Sequence, residues 1–231
     1  MWAPAAPLVG KRGWLMATPQ GTGTPMGWNA KSCCGDPAKR GLDDVAFIGE
    51  VVKAVRRRRP LSRVFGTGFS NGGFMMGEIV AGAHAHASYF DAISPWGGHA
   101  YEVRGNATPT PIFMNHGEKD GVVRIAGCCP GARCCCGIDD WGGQCRPVQH
   151  LFDTWRRVNR CDAGLITLRD DADATCTTGT GCAANTTLCV HKRLAHEYPG
   201  VRFKATKYGG PTIEDTLEFF ARVLPHERAR R

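Results

Sequence analysis

The chain has no apolar run approaching the roughly 20 residues a membrane-spanning helix needs. Met1 to Gly10 lacks the basic start and long apolar centre of a secretory leader. No internal repeat runs through it. Its cationic runs, Arg56 to Arg59 and Arg228 to Arg231, hold no interleaved aromatic residues, so the formal charge of +8 does not describe a surface on which bases stack. Both read as solvated helix ends, the first where cations suit a helix C-terminus. A membrane span and a nucleic-acid partner are the classes these absences argue against.

What is present is enough hydrophobic sequence, 42% of 231 residues, for one α/β domain and too little length for two of ordinary size. Twelve cysteines are many for a cytosolic enzyme, and their even number suits a disulfide set formed in an oxidising compartment. Asn185-Thr186-Thr187 and Asn106-Ala107-Thr108 fit the glycosylation sequon, the second weakened by Pro109.

The stretch Gly66-Thr67-Gly68-Phe69-Ser70-Asn71-Gly72-Gly73 contains a G-x-S-x-G pattern at Gly68, Ser70 and Gly72. Arg63-Val64-Phe65 before it reads as a strand and Gly73 to Ala83 after it as a helix, the context a nucleophile elbow demands. A glycine-rich strand-to-helix turn is the plainer alternative. On the elbow reading, side chains at Gly68 and Gly72 would collide with the neighbouring strand or helix, and Ser70 sits strained on the turn. The Asn71 N–H, at the positive end of the helix, then faces an oxyanion forming on a substrate carbonyl.

Strands are expected at Lys11 to Thr18, Phe90 to Ser94, Pro111 to His116, Gly164 to Leu168 and Leu188 to Leu194. Helices are expected from Leu42 to the stop at Pro60, from Val148 to Val158, and from a Thr212 N-cap to Val223. Strands alternating with helices indicate a mainly parallel sheet covered on both faces.

A serine hydroxyl needs a base, and the base an orienting carboxylate, which follow the elbow in the order carboxylate then histidine. Asp120 lies just past the end of the Ile112 strand, where such a carboxylate belongs. Glu118 is its nearest competitor; Asp91 falls inside a strand, and Asp139, Asp140, Asp170, Asp171 and Asp173 fall in polar loops. Of the histidines after Asp120, His150 lies in a helix, His191 in a strand and His226 in the basic tail. His196 occupies the loop after the last strand and is the candidate base.

With these motifs assembled, the chain resembles the secreted serine esterases of the polyhydroxybutyrate depolymerase and feruloyl esterase type. The resemblance runs through Gly27-Trp28-Asn29 with Cys33-Cys34-Gly35, Asp43-Asp44-Val45 with Phe47-Ile48, and Gly68-Phe69-Ser70-Asn71-Gly72-Gly73. It continues through His116-Gly117 with Asp120 and Val123, Trp155 and Asn159 with Cys161, Gly181-Cys182, and His196 with Pro199-Gly200. It implies a single α/β-hydrolase domain over 1–231 and acyl-enzyme chemistry on polyester or feruloyl-polysaccharide esters. Ser70, Asp120 and His196 are then the triad and Asn71 an oxyanion donor. No cofactor or metal is implied, and the protein would be an extracellular monomer.

The chain departs from that pattern in two places. Glu197-Tyr198 stand where the family has a Thr-Trp type pair. The upstream strand and His-Gly loop that donate the second oxyanion N–H are not found, so the chain reads as one lacking an N-terminal segment, with a gap expected in the middle of the sheet.

A Cys-rich insert at about 124–146, with Cys128, Cys129, Cys134 to Cys136 and Cys145, has no counterpart in the family. No histidine or second C-x-x-C pair is spaced for zinc, so a disulfide-tied loop is expected. Cys161, Cys176, Cys182 and Cys189 are expected to pair among themselves. The second functional reading is a catalytically silent, disulfide-rich binding module on the same fold, recognising glycan or polymer surfaces.

Overall fold

Asp43 caps α3 (Asp44–Arg58) by accepting a hydrogen bond from the Ala46 N–H at 2.9 Å, and Arg56, Arg57 and Arg58 occupy its last turn. The helix dipole favours that placement of charge at both ends. The computed structural model describes residues 5–31, 35–81, 89–100, 102–127, 146–198 and 213–223. Before α3 come two short helices, α1 (Ala6–Lys11) and α2 (Gly35–Lys39). After it come β1 (Phe65–Phe69), α4 (Asn71–Ala81), β2 (Ala92–Trp96), β3 (Ile112–Gly117) and α5 (Val148–Val158). A hairpin pair β4 (Leu165–Asp170) and β5 (Ala174–Gly179), then β6 (Thr186–His191) and α6 (Ile213–Arg222), complete the described elements.

The strands form one mixed sheet in the order β1-β2-β3-β6-β5-β4. The first four are mutually parallel and the last three antiparallel, so the chain is α/β with an antiparallel extension. Side chains alternate across the pleat: Ile112 and Met114 of β3 face a core shared with Ile48, Phe74, Ile79, Phe152 and Trp155, whereas Phe113 faces Phe219 on the other side. Helices α3, α4 and α5 therefore cover one face and α6 the other. On that second face Phe220 stacks on Phe65 with centroids 4.7 Å apart, and Leu217 joins Trp96 and Tyr198.

Two disulfides tie the extension. Cys161 bonds Cys182, and Cys176 bonds Cys189 directly across the β5–β6 ladder. Both fit an extracellular protein. At the opposite end of the sheet from the strand exits, buried Asn159 bridges β3 and β6. Its side chain exchanges two hydrogen bonds with the Thr110 backbone at 2.9 Å and donates to Thr186 Oγ1 at 2.8 Å.

Several expectations are corrected. Lys11 to Thr18 is not a strand: the chain leaves α1 through a turn, Trp14 packs on Phe65, and Leu15 and Met16 lie exposed. A short apolar run does not by itself distinguish a buried strand from a covering segment. With no strand there, β1 is the sheet edge among the described residues and no gap opens in the middle. The elbow strand begins at Phe65 rather than Arg63, and the last parallel strand at Thr186 rather than Leu188. α1, where Ala6 to Val9 suggested a strand stub, and also α2 and β5, are additional to the expected elements. The insert at 128–145, Cys33, Cys34, the Thr212 cap and the Arg228 tail lie outside the described residues. No described helix is long and apolar enough to cross a membrane.

His191 of β6 is 2% exposed, stacks on Trp96 at 12° and places Nε2 3.1 Å from Asn115 Oδ1. Burial, then the nearby Arg169 charge and His116, lowers its pKa to about 3. An unfolded histidine titrates near ~6.5. As pH falls, the unfolded chain takes the proton first, so the contribution of neutral His191 is intact above ~6.5 and is lost between there and about 3. Melting temperature is expected to drop between pH 7 and pH 4, with a shallower drop in His191→Gln; equal slopes would refute the assignment.

Candidate active site

β1 ends at Phe69 and α4 begins at Asn71, leaving Ser70 as the single residue of the turn, at φ 53°. That left-handed conformation costs a non-glycine residue of order 1–3 kcal/mol and persists only where its surroundings hold it. Here the Ser70 N–H donates to the Trp96 carbonyl at 2.9 Å, and the Ser70 carbonyl accepts from the Phe74 N–H at 3.0 Å. Glycines make the packing possible. A Cβ at Gly68 would strike the Gly72 carbonyl, and one at Gly98, in the loop after β2, would strike the Ser70 carbonyl. The expected clash at Gly72 itself is corrected, because a Cβ there meets nothing within 4 Å.

Ser70 Oγ lies 2.8 Å from His196 Nε2, and His196 Nδ1 lies 2.7 Å from Asp120 Oδ2. Three residues from three loops, up to 126 positions apart, thus form one continuous hydrogen-bonded line. The second carboxylate oxygen, Asp120 Oδ1, accepts from the Val122 and Val123 N–H groups at 2.9 and 2.8 Å. Asp120 is buried, whereas the His196 side chain keeps 17% of its surface exposed. With the carboxylate on Nδ1, the Nε2 lone pair is left to accept the serine proton.

Aromatic rings pack beside the histidine. Phe69 lies 4.8 Å from the His196 ring, and Tyr198, in the same loop as His196, packs edge-on against Phe69 and Trp96. Asn71 is the first residue of α4, so its N–H belongs to the turn whose donors have no acceptor within the helix. Its side chain clasps the Trp28 backbone in both directions: Oδ1 accepts from the Trp28 N–H at 2.7 Å, and Nδ2 donates to the Trp28 carbonyl at 3.0 Å. The Asn29 N–H in turn donates to buried Asp44 at 2.6 Å, which fixes the Trp28 loop to the start of α3.

The rival carboxylates and bases lie elsewhere. The Glu118 side chain is exposed while its N–H donates to His191, and Asp91 precedes β2, accepting from the Val64 N–H. Asp170 ends β4 and Asp171 follows it in the β4–β5 turn, both exposed, with Asp173 partly buried beside them. His150 is exposed on α5, His191 is buried against Trp96, and His226, Asp139 and Asp140 lie outside the described residues. Sequence reasoning passed over His99 and the side-chain role of His116, both buried behind Asp120. The signal available was the His116-Gly117 pair at the strand exit, which marks a histidine beside the carboxylate loop.

No protein-family model matches the chain, and no curated protein matches it.

The two elbow glycines are expected to differ. Gly68→Ala should destabilise the fold by about 1–3 kcal/mol through backbone overpacking, whereas Gly72→Ala, with open space around it, should melt within about 1 kcal/mol of wild type. Denaturant titration of the two variants checks this; equal losses would overturn the contact assignment.

Proposed function

We propose that the chain is a serine-dependent carboxylic-ester hydrolase of the α/β-hydrolase type. One observation carries the reading: the unbroken Ser70–His196–Asp120 line, with Ser70 strained on a strand-to-helix turn. In the first step Ser70 Oγ attacks the ester carbonyl while His196 Nε2 takes its proton. Asp120 holds the imidazole in the Nδ1–H tautomer and stabilises the imidazolium. The tetrahedral oxyanion is met by the Asn71 N–H and the positive end of α4. Collapse expels the alcohol, which receives its proton from His196, and leaves an acyl group on Ser70. Water then attacks, with His196 acting again as base, and the carboxylic acid departs.

The resemblance in sequence motifs points to polyester of the poly-3-hydroxybutyrate kind or feruloylated polysaccharide as substrate, acted on outside the cell. The two disulfides support a secreted enzyme. A silent binding protein on this fold is the second reading. The observation favouring it is that β1 has no neighbouring strand on its outer side among the described residues, the place from which the resembled family's second oxyanion loop would come.

The two readings part on one assay. Wild-type chain is expected to hydrolyse p-nitrophenyl butyrate and to be labelled by a fluorophosphonate probe, with Ser70→Ala unlabelled and slower by about 10³-fold or more. Equal hydrolysis by both proteins, or a wild type that takes no label, would leave the binding reading in place.

A further inference from the structure

Two imidazoles that the ester-hydrolase chemistry does not use lie directly behind Asp120. His116, near the end of β3, is fully buried, and its Nε2 lies 2.7 Å from the Val123 carbonyl and 3.7 Å from Asp120 Oδ2. His99, in the loop after β2, is 2% exposed, and its Nε2 lies 3.1 Å from His116 Nδ1. His99 Nδ1 is buried with no hydrogen-bond partner among the described residues.

This arrangement fixes both tautomers. A carbonyl oxygen only accepts, so His116 must carry its proton on Nε2 to bond Val123. If it is neutral, its Nδ1 is a bare lone pair, and His99 must supply the proton from Nε2. His99 then has a bare Nδ1, which is the state an unpartnered buried ring nitrogen tolerates; an N–H there would be a buried donor without an acceptor. The proton order is thus one-directional, from His99 to His116 to the Val123 carbonyl. Burial, reinforced by His116, holds the His99 pKa well below its ordinary value. Burial also lowers that of His116, against the raising effects of the Val123 bond and Asp120.

The chain of bonds also joins the two sides of the site. The loop bearing His99 packs on the elbow through Gly98, which lies against the Ser70 carbonyl. Val123, held at its carbonyl by His116, gives its N–H to Asp120 Oδ1 at 2.8 Å.

We propose that His116, with its tautomer set by the Val123 carbonyl and its Nδ1 held by His99, is a positioning residue for the Asp120–His196 pair. It anchors the 117–123 loop so that Asp120 Oδ1 stays on the backbone and Oδ2 stays aimed at His196. Because both imidazoles remain neutral, neither competes with His196 for the carboxylate. A protonated His116, 3.7 Å from Asp120 Oδ2, would do so. The kinetic part of this inference rests on the ester-hydrolase reading; the geometric part does not.

The test compares wild type, His116→Phe, His116→Gln and His99→Phe in full-length chain. The readouts are kcat and KM for p-nitrophenyl butyrate and the downfield proton resonance of His196 Nδ1–H bonded to Asp120. His116→Phe should lose about 10- to 100-fold in kcat, the scale of a misaimed catalytic group, with KM within about threefold and the resonance shifted or broadened. Glutamine can donate to Val123 and accept from His99, so His116→Gln should recover most of the loss. His99→Phe, which touches nothing in the triad, should fall between the two. Unchanged kcat and resonance in His116→Phe, or a glutamine variant as impaired as the phenylalanine one, overturns the proposal. Should His116→Phe fail to fold, His99→Phe decides: wild-type kcat and resonance there overturn it. If Ser70→Ala is as active as wild type, the ester-hydrolase reading fails, and the resonance alone still decides the positioning role.

Discussion

The parallel pairing of four strands is the constraint on which the rest of the site depends, because it delivers their C-terminal ends to one edge of the sheet. At that edge each chain segment is fastened to the next by a backbone hydrogen bond just beyond the strand. The Ser70 N–H reaches the Trp96 carbonyl, the Gly97 N–H reaches Asn115, and the Glu118 N–H reaches His191, each at 2.9 Å. A fourth bond, from the Lys119 N–H to the Leu194 carbonyl at 3.0 Å, ties the carboxylate loop to the loop of His196. Serine, carboxylate and histidine come from three loops, and these main-chain bonds fasten the segments that carry them to one another. Buried main-chain groups left unpaired cost about as much as a lost hydrogen bond, so the ladder is held by stability as well as by geometry.

That ladder explains how Ser70 keeps a conformation it would leave in isolation. Its positive φ is opposed by local sterics of order 1–3 kcal/mol, while the flanking residues are committed to β1 and α4, whose sequences suit strand and buried helix. Phe74, Met75, Met76, Ile79, Val80 and Ala81 are all buried on α4, so unwinding its first turn to relax Ser70 would loosen a helix fixed by its core contacts. Asn71 adds a second hold, since its side chain is clasped to the Trp28 backbone and through Asn29 to Asp44. The strain is local, and the restraint is spread over α3, α4 and two strands.

What the sequence made legible follows the same division. Ser70, Asp120 and His196 were readable because each stands at a strand exit marked by glycine or a polar break, and topology turns strand exits into neighbours. Asp120 was separable from Glu118 by position, and the structure gives the difference: Asp120 is in reach of two backbone donors, while Glu118 points to solvent. The Leu15 run was misread because five apolar residues fit a buried strand and a covering segment equally. Only the partner, here Phe65 on β1 for Trp14, distinguishes them. β5 escaped notice because Ala174-Thr175-Cys176-Thr177-Thr178-Gly179 has little apolar alternation. Its pairing is secured by the ladder and the disulfide to Cys189. Disulfide partners and imidazole tautomers depend on separations across the sheet, which no linear spacing encodes.

Burial sorts the histidines around this edge by what each can do with a proton. His99, His116 and His191 are at most 2% exposed, and burial disfavours their charged forms, so each is confined to one neutral tautomer with one donor and one acceptor. Those are properties of a strut. His196 differs in both respects. Part of its surface meets solvent, and its Nδ1 lies 2.7 Å from the Asp120 carboxyl group. A base must change charge in every cycle, and an imidazole can do so cheaply only where water or a counter-charge receives it. Among the described residues at this edge the buried rings lack contact with water, whereas His196 has both provisions and lies 2.8 Å from Ser70 Oγ.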